Sequence, residues 1–283
     1  MTVRNNEERF GALPSEDAPI PAQAQPEPLN FVVPTMHVDL PSGGKYYAEG
    51  HPLHGEETVE IRFMTAKDED ILTSPNLIKK KIVLDRLIQS LILDKRIRSE
   101  DLIVGDKNAI LIQARISGYG QWYTVKVTCP SCGEEQEKEF DLEEIVKIKE
   151  SETDIEDLCE LENGHFAVLL PTTKVLCELR LLRGKEEKIL LKNIDRNSKN
   201  KDKEGNTLTQ YLKTIIVSLN EDPDPKNIEY LADYMPVSDA RYLRKVYDKI
   251  SPDANLKAEF ECEFCDCVED MEVPLTVNFF WPE

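Results

Sequence analysis

Between Val59 and Arg62 apolar and polar residues alternate (Val59-Glu60-Ile61-Arg62), the period of a half-buried strand. The run then turns charged at Lys67-Asp68-Glu69-Asp70 and closes on Ile71-Leu72, which predicts a helix near 66–73. Leu84, Leu87, Ile88, Leu91 and Ile92 recur at three- and four-residue spacing and predict a second helix over about 82–94. A third is expected near 105–117. The same succession returns later. Cys177-Glu178-Leu179-Arg180 alternates, a helix follows near 184–194, and Leu208, Tyr211, Leu212, Ile215, Ile216 and Leu219 predict another over 207–219. A last helix is expected near 238–250, with Asp106 and Ser238 as the N-caps of the corresponding pair. The later stretch carries one addition, a helix around 226–234.

This succession is an internal duplication. Residues 59–72 and 177–190 agree at six of fourteen positions at an offset of 118. Upstream, Val38-Asp39-Leu40-Pro41-Ser42 matches Val168-Leu169-Leu170-Pro171-Thr172, predicting a hairpin turn at Leu-Pro-Ser or Leu-Pro-Thr. Downstream, 87–92 lies on 212–217 at an offset of 125, and 106–115 on 238–247 at 132. From the helix start onward the offsets grow in one direction, as loop residues added to the second copy require. The expected fold class is therefore α+β: a β-hairpin, helices and a cysteine turn, doubled about a pseudo-two-fold axis. The expected organisation is a proline-rich tail over 1–34, repeat one over 35–142, an acidic connector over 143–164 and repeat two over 165–283. The tail holds Pro14, Pro19, Pro21, Pro26, Pro28 and Pro34, and is either a disordered extension or an arm that orders on a neighbouring subunit. Residues 195–206 contain no apolar side chain and predict an exposed loop.

Each copy ends in a strand-like run and a Cys-x-x-Cys turn: Cys129-Pro130-Ser131-Cys132 and Cys262-Glu263-Phe264-Cys265, 133 residues apart. Leu142 and Leu275 each stand ten residues after the second cysteine, where they would close a return strand. Two-residue spacing lets both thiolates face one ion while nearby amides point at the sulfurs. Two such turns supply the four thiolates of a closed tetrahedral zinc site, one zinc ribbon shared by the copies. A closed site has no open position and stabilises structure instead of catalysing. Structural zinc contributes roughly 10–16 kcal/mol in small peptides. The competing reading is two dithiols, or disulfides, capping separate hairpins. Of the other cysteines, Cys177 falls inside a strand as a small core residue. Cys159 is a docking side chain or a free thiol. Cys267 is a bystander beside the site or a stand-in ligand. His51 and His54 share a loop with Gly50, Pro52 and Gly55 and form no metal set.

Charge narrows the function. The 283 residues carry 54 acids against 35 Lys and Arg, a formal net charge of −19 that repels phosphate backbones. A nucleic-acid partner is not expected. No apolar run approaches the ~18 residues of a membrane span, and the first residues lack the apolar stretch of a signal peptide. A reducing cytosol is the expected place of synthesis, where paired cysteines hold metal more readily than they form disulfides. There is no glycine-rich phosphate loop and no nucleophile motif near a histidine, so no catalytic residue is expected. The acids Asp68-Glu69-Asp70 and Glu186-Glu187 favour helix N-termini. The closing aromatics Phe279, Phe280 and Trp281 are expected either to cover the core or to insert into a partner.

A family resemblance rests on particular runs. They are Leu40-Pro41-Ser42-Gly43-Gly44-Lys45-Tyr46-Tyr47, Met64-Thr65-Ala66 with Asp68-Glu69 and Ile71-Leu72-Thr73, and Asp101-Leu102-Ile103-Val104-Gly105-Asp106-Lys107. Arg115-Ile116-Ser117-Gly118-Tyr119-Gly120 and Cys129-Pro130-Ser131-Cys132-Gly133 complete the set. It resembles the baseplate hub proteins of T4-like contractile-tailed phages, most specifically over 35–142. The resemblance implies a non-enzymatic tail protein of the virion baseplate, built in the host cytoplasm. It would be a hub component or an assembly factor, with other baseplate subunits as partners. A Cys-x-x-Cys turn is expected in that family; the zinc assignment rests on the spacing. The alternative is a zinc-ribbon adaptor in transcription or DNA handling, which needs a basic face.

Overall fold

The computed structural model describes residues 31–198, 207–273 and 275–280, with no side-chain detail at 195–198. Most of the proline-rich tail, residues 199–206 of the expected loop and Trp281 lie outside the described residues, and 195–198, expected in that loop, are helical instead. The chain divides into two compact units, Met1–Val32 and Val33–Glu283, and every element below belongs to the second.

The first half opens with strands β1 (Thr35–Asp39) and β2 (Thr58–Arg62), an antiparallel hairpin. Helix α1 (Ala66–Thr73) starts in a capping box. The Asp68 carboxylate accepts from the Thr65 amide and hydroxyl, and Thr65 caps the helix in return. Pro75 at the first position starts the short helix α2 (Pro75–Lys79), which the spacing did not signal. Helix α3 (Val83–Leu91) buries Val83, Leu87, Ile88 and Leu91 on one stripe. Helix α4 (Val104–Tyr119) follows, then the hairpin β3 (Trp122–Thr128) and β4 (Glu135–Asp141).

The chain enters the expected acidic connector through one helical turn. Helix α5 (Leu142–Ile145) gives way to strand β5 (Val146–Lys149). There Val146, Lys147, Ile148 and Lys149 alternate, with β-branched residues on one parity. Leu142 is thus not the end of a return strand but the buried first residue of α5. Strand β6 (Leu158–Glu160) also forms within the acidic stretch.

The second half also runs from a β-hairpin through helices to a cysteine hairpin, with an added strand and helix interposed and no match for α2. A hairpin of β7 (Phe166–Leu169) and β8 (Leu176–Leu179) is followed by helices α6 (Gly184–Ser198) and α7 (Thr207–Ile215). The expected helix to 219 stops at Ile215, because Ile216-Val217-Ser218-Leu219 forms strand β9 (Ile216–Leu219) on β8. In the first half Ile61 and Ile92 make only an isolated bridge at the matching place. Helices α8 (Pro225–Tyr234) and α9 (Val237–Ile250) lead to the hairpin β10 (Asp253–Glu261) and β11 (Val268–Val273). Leu275 stands beyond that strand. A 3-10 turn (Val277–Phe280) follows.

The four sheets are β1-β2, β3-β4, β6-β7-β8-β9 and β11-β10-β5. One main hydrophobic core runs through both halves, from Val38 and Ile61 to Leu243 and Phe280. Several contacts join the halves among the described residues. Ile103 bridges Arg183, with the Val104 amide on the Leu182 carbonyl and the Gly184 amide on the Leu102 carbonyl. Gly105 in α4 lies against Pro252, where a Cβ would sit 2.2 Å from the carbonyl oxygen, so the crossing of α4 over β10 needs glycine. Lys107 of α4 reaches Glu187 of α6 at 2.6 Å and Asp85 of α3 at 2.9 Å.

Asp106 and Ser238 are not N-caps. The helices begin at Val104 and Val237, after Ile103 and Pro236, neither of which caps with a side chain. Those starts are 133 residues apart, which sets Asp106 opposite Asp239 instead of Ser238. Both aspartates hold the preceding hairpin turn. Asp106 accepts from the Ser42 amide (3.0 Å), the Ser42 hydroxyl (2.7 Å) and the Tyr47 hydroxyl (2.6 Å). Asp239 accepts from the Thr172 amide (2.9 Å) and from the Thr173 amide (2.9 Å) and hydroxyl (2.8 Å).

Candidate metal centre

The two cysteine turns meet. Cys129 and Cys132 lie between β3 and β4, and Cys262 and Cys265 between β10 and β11. All four Sγ atoms fall within 4.8 Å of one another. Cys129 Sγ is 3.7 Å from Cys265 Sγ, and Cys132 Sγ is 3.7 Å from Cys262 Sγ. Four thiolates at ~2.3 Å from a tetrahedral ion stand about 3.8 Å apart, so the donor set fits a closed thiolate site. The four cysteines are free, with no disulfide among them.

Local backbone prepares the sulfurs for charge. Gly133 adopts a positive φ of 77° as the first turn folds back, and its amide bonds the Cys129 carbonyl at 2.9 Å. The Phe264 amide points at Cys262 Sγ at 3.4 Å. Amides of Cys132 and Ser131 aim at Cys129 and pull its thiol down to about 6. Cys132 goes the other way. The Glu134 amide favours its thiolate, but desolvation and the thiols of Cys129, Cys262 and Cys265 push it up to about 12. Four sulfurs this close do not share four negative charges without a cation among them.

The hairpins belong to separate sheets, and one side chain sews them together. Gln136 of β4 donates from Nε2 to the Glu261 carbonyl (3.1 Å) and accepts at Oε1 from the Glu263 amide (2.9 Å). Lys138 adds an ion pair to Glu263 at 2.7 Å. Beneath the sulfurs, Val127, Cys129, Phe260 and Cys262 form a small apolar cluster separate from the main core, with Phe140, Cys267 and Met271 against it. Gln136 escaped sequence reasoning because a glutamine among glutamates carries no periodic signal. The only hint was one uncharged residue in Glu134-Glu135-Gln136-Glu137.

The remaining expected residues fall as follows. Cys177 is buried in β8, where desolvation pushes its thiol up to about 12. Cys159 is exposed, and Cys267 is half-buried with its carbonyl accepting from the Cys262 amide. His51 stacks on Tyr47 at 4.7 Å, and His54 Nδ1 contacts the Tyr47 carbonyl at 2.7 Å, so both ends of the loop are tied to one tyrosine. Asp68 loses some favour for its charge to desolvation. The Arg62 guanidinium, Thr65 and Ser90 more than restore it and hold its carboxyl well below the usual range. Asp68 is thus spent on structure.

Of the closing aromatics, Phe279 and Phe280 resolve toward the core, and Trp281 lies outside the described residues. Phe279 and Phe280 are buried, Phe279 edge-on to Tyr123 at 5.3 Å. Of the two expected uses, covering the core is the one these two rings take. Fully buried Arg115 of α4 donates to the carbonyls of Phe279 (3.1 Å), Gly120 (2.9 Å) and Trp122 (3.3 Å). Its guanidinium also lies over the rings of Tyr119, Tyr123 and Phe279. Among the described residues, no helix is long and apolar enough to cross a membrane.

The fold and site together define a mixed α+β protein whose two cysteine hairpins converge on one four-sulfur cluster. The family described as T4 bacteriophage base plate protein matches residues 33–281, and the chain belongs to it. It is thus a phage baseplate structural protein, as the resemblance implied. No curated protein and no solved structure gives a significant match.

Proposed function

We propose that this chain is a non-enzymatic component of the baseplate hub, or a factor that assists hub assembly. In this reading it acts through protein–protein contacts on a scaffold that one structural zinc ion staples. The observation that carries the reading is the convergence of Cys129, Cys132, Cys262 and Cys265 to within 4.8 Å, in a member of a baseplate family. Zinc suits an all-thiolate tetrahedral donor set, and a filled site leaves no position for substrate. The repeated order of elements, with Asp106 and Asp239 clasping equivalent turns, supports an internal duplication with one zinc knuckle per copy. The proline-rich tail is the part of the chain left to act as an arm.

The adaptor alternative finds no support in the cysteine hairpins. Residues 122–141 and 253–273 carry thirteen acids against three lysines, the opposite of a phosphate-binding surface. Elemental analysis of the purified chain tests the staple: one zinc per chain is expected, falling to none in Cys129→Ser/Cys262→Ser. Metal-free protein with an unchanged melt would sink it. Recovery of the chain in isolated tails or in hub assembly intermediates tests the location.

A further inference from the structure

Helix α8 has no counterpart in the first half, where residues 93–103 pass from the Ile92 bridge to α4 through turns alone. Inward, Ile228 and Ala232 seat it against α7 and β9. Outward it spends two aromatic rings on solvent. Tyr230 is 68% exposed and Tyr234 72%, one helical turn apart, with ring centroids 4.8 Å apart and tilted by 37°. Val237, at the start of α9, is 74% exposed. Tyrosine is the residue that interfaces enrich, because a ring offers a large contact area at little entropic cost.

The rim selects the partner. Over 221–234 stand the exposed acids Glu221, Asp222, Asp224, Glu229 and Asp233 and one lysine, Lys226, and from α7 Lys213 pairs with Asp233 at 2.9 Å, so the rim stays acidic on balance. Glu229 immediately precedes Tyr230 and Asp233 immediately precedes Tyr234, so a guanidinium arriving at the rings meets Glu229 and competes with Lys213 for Asp233. Tyrosine faces bordered by carboxylates are a receptor for guanidinium. The plane stacks on the ring while its N–H groups reach the acids. A second copy of this chain is the wrong occupant, since its net charge of −19 repels itself.

We propose that the Tyr230–Tyr234 face of α8 is a docking surface for an arginine-bearing segment of another baseplate subunit. The proposal rests on the baseplate reading and deepens it. The test compares baseplates assembled with the full-length wild type, with Tyr230→Ala/Tyr234→Ala and with Tyr230→Phe/Tyr234→Phe. A photo-crosslinking benzoylphenylalanine is placed at position 230 in a parallel preparation. Melting temperatures of both double variants should match wild type, because both rings are largely exposed. Recovery of the alanine variant with baseplates should fall at least tenfold, the phenylalanine variant should hold, and the crosslinked peptide should contain arginine. Equal recovery of the alanine variant overturns the surface and leaves the baseplate reading standing. A crosslink to a second copy, or to a segment without arginine, overturns the choice of occupant. Wild type missing from both baseplates and assembly intermediates overturns the baseplate reading, and this one with it.

Discussion

Asp106 and Asp239 do one job in two ways. Each sits in the first turn of a long helix, each is sealed from solvent, and each grips the turn of the preceding hairpin. Around Asp106, desolvation beneath Tyr47 outweighs the bonds from Tyr47 and Ser42, and its carboxyl is raised. Around Asp239, desolvation is overcome by the amides and hydroxyls of Thr173 and Thr172, and its carboxyl is lowered. A clasp made mostly of side-chain hydroxyls holds an anion less well than one made of two amides. The difference follows first from depth, since Asp106 is the more heavily desolvated, and then from how the turns present themselves. Thr172 and Thr173 offer consecutive N–H groups, whereas Ser42 offers one and Tyr47 covers the remainder.

The largest test of equivalence between the halves is at the sulfurs. Cys129→Ser and Cys262→Ser should each lower the melting temperature by more than about 10 °C, and by similar amounts, since each removes one of four ligands. Unequal losses would show that one hairpin stands without the other. Next comes a feature the halves do not share. At an offset of 133 from Arg115 stands exposed Asp248. Arg115→Ala should cost about 3 kcal/mol in urea melts, because three carbonyls lose their donor and the 3-10 turn its tether.

The clasps give a smaller effect with a pH signature. Asp239→Asn should cost about 2 kcal/mol at pH 7 and Asp106→Asn about 1 kcal/mol. A lowered carboxyl contributes stability above its ordinary value of about 3.9, and that stability is lost as pH falls through the folded value. A raised carboxyl does the reverse: its contribution is complete below about 3.9 and is lost as pH rises through the folded value. Paired melts at pH 7 and pH 2.5 should therefore show the Asp239→Asn deficit shrinking with acid and the Asp106→Asn deficit not shrinking. Parallel behaviour would mean the two clasps are electrostatically alike. The smallest effect belongs to Glu186, which stands where Asp68 does at an offset of 118. Asp68 is gripped by Arg62, while Glu186 Oε2 has no hydrogen-bond partner. Glu186→Gln should leave the melt within about 0.5 kcal/mol of wild type.

Much of this architecture was legible because its signals are periodic or spaced. Leu87, Ile88 and Leu91 give α3, and the four cysteines give both hairpins and their convergence. What escaped is what depends on a partner distant in sequence. Strand β5 lies in an acidic stretch that reads as solvated, and it becomes a strand because β10 offers it an edge. Strand β9 follows α7 with no break in apolar spacing, so only pairing with β8 separates them. Asp106 looks like a cap from its neighbours alone; its role needs Ser42, 64 residues away. Gln136 and Arg115 likewise act on residues more than 100 positions along the chain.

The distance along the chain between the two cysteine turns also sets a clock. A ribosome adding about 5–20 residues per second exposes Cys129 and Cys132 well before their counterparts exist. For roughly ten seconds the nascent chain carries half a binding site, open to oxidants and to other metals. Only when Cys265 emerges can the four sulfurs gather and the two hairpins close on one another.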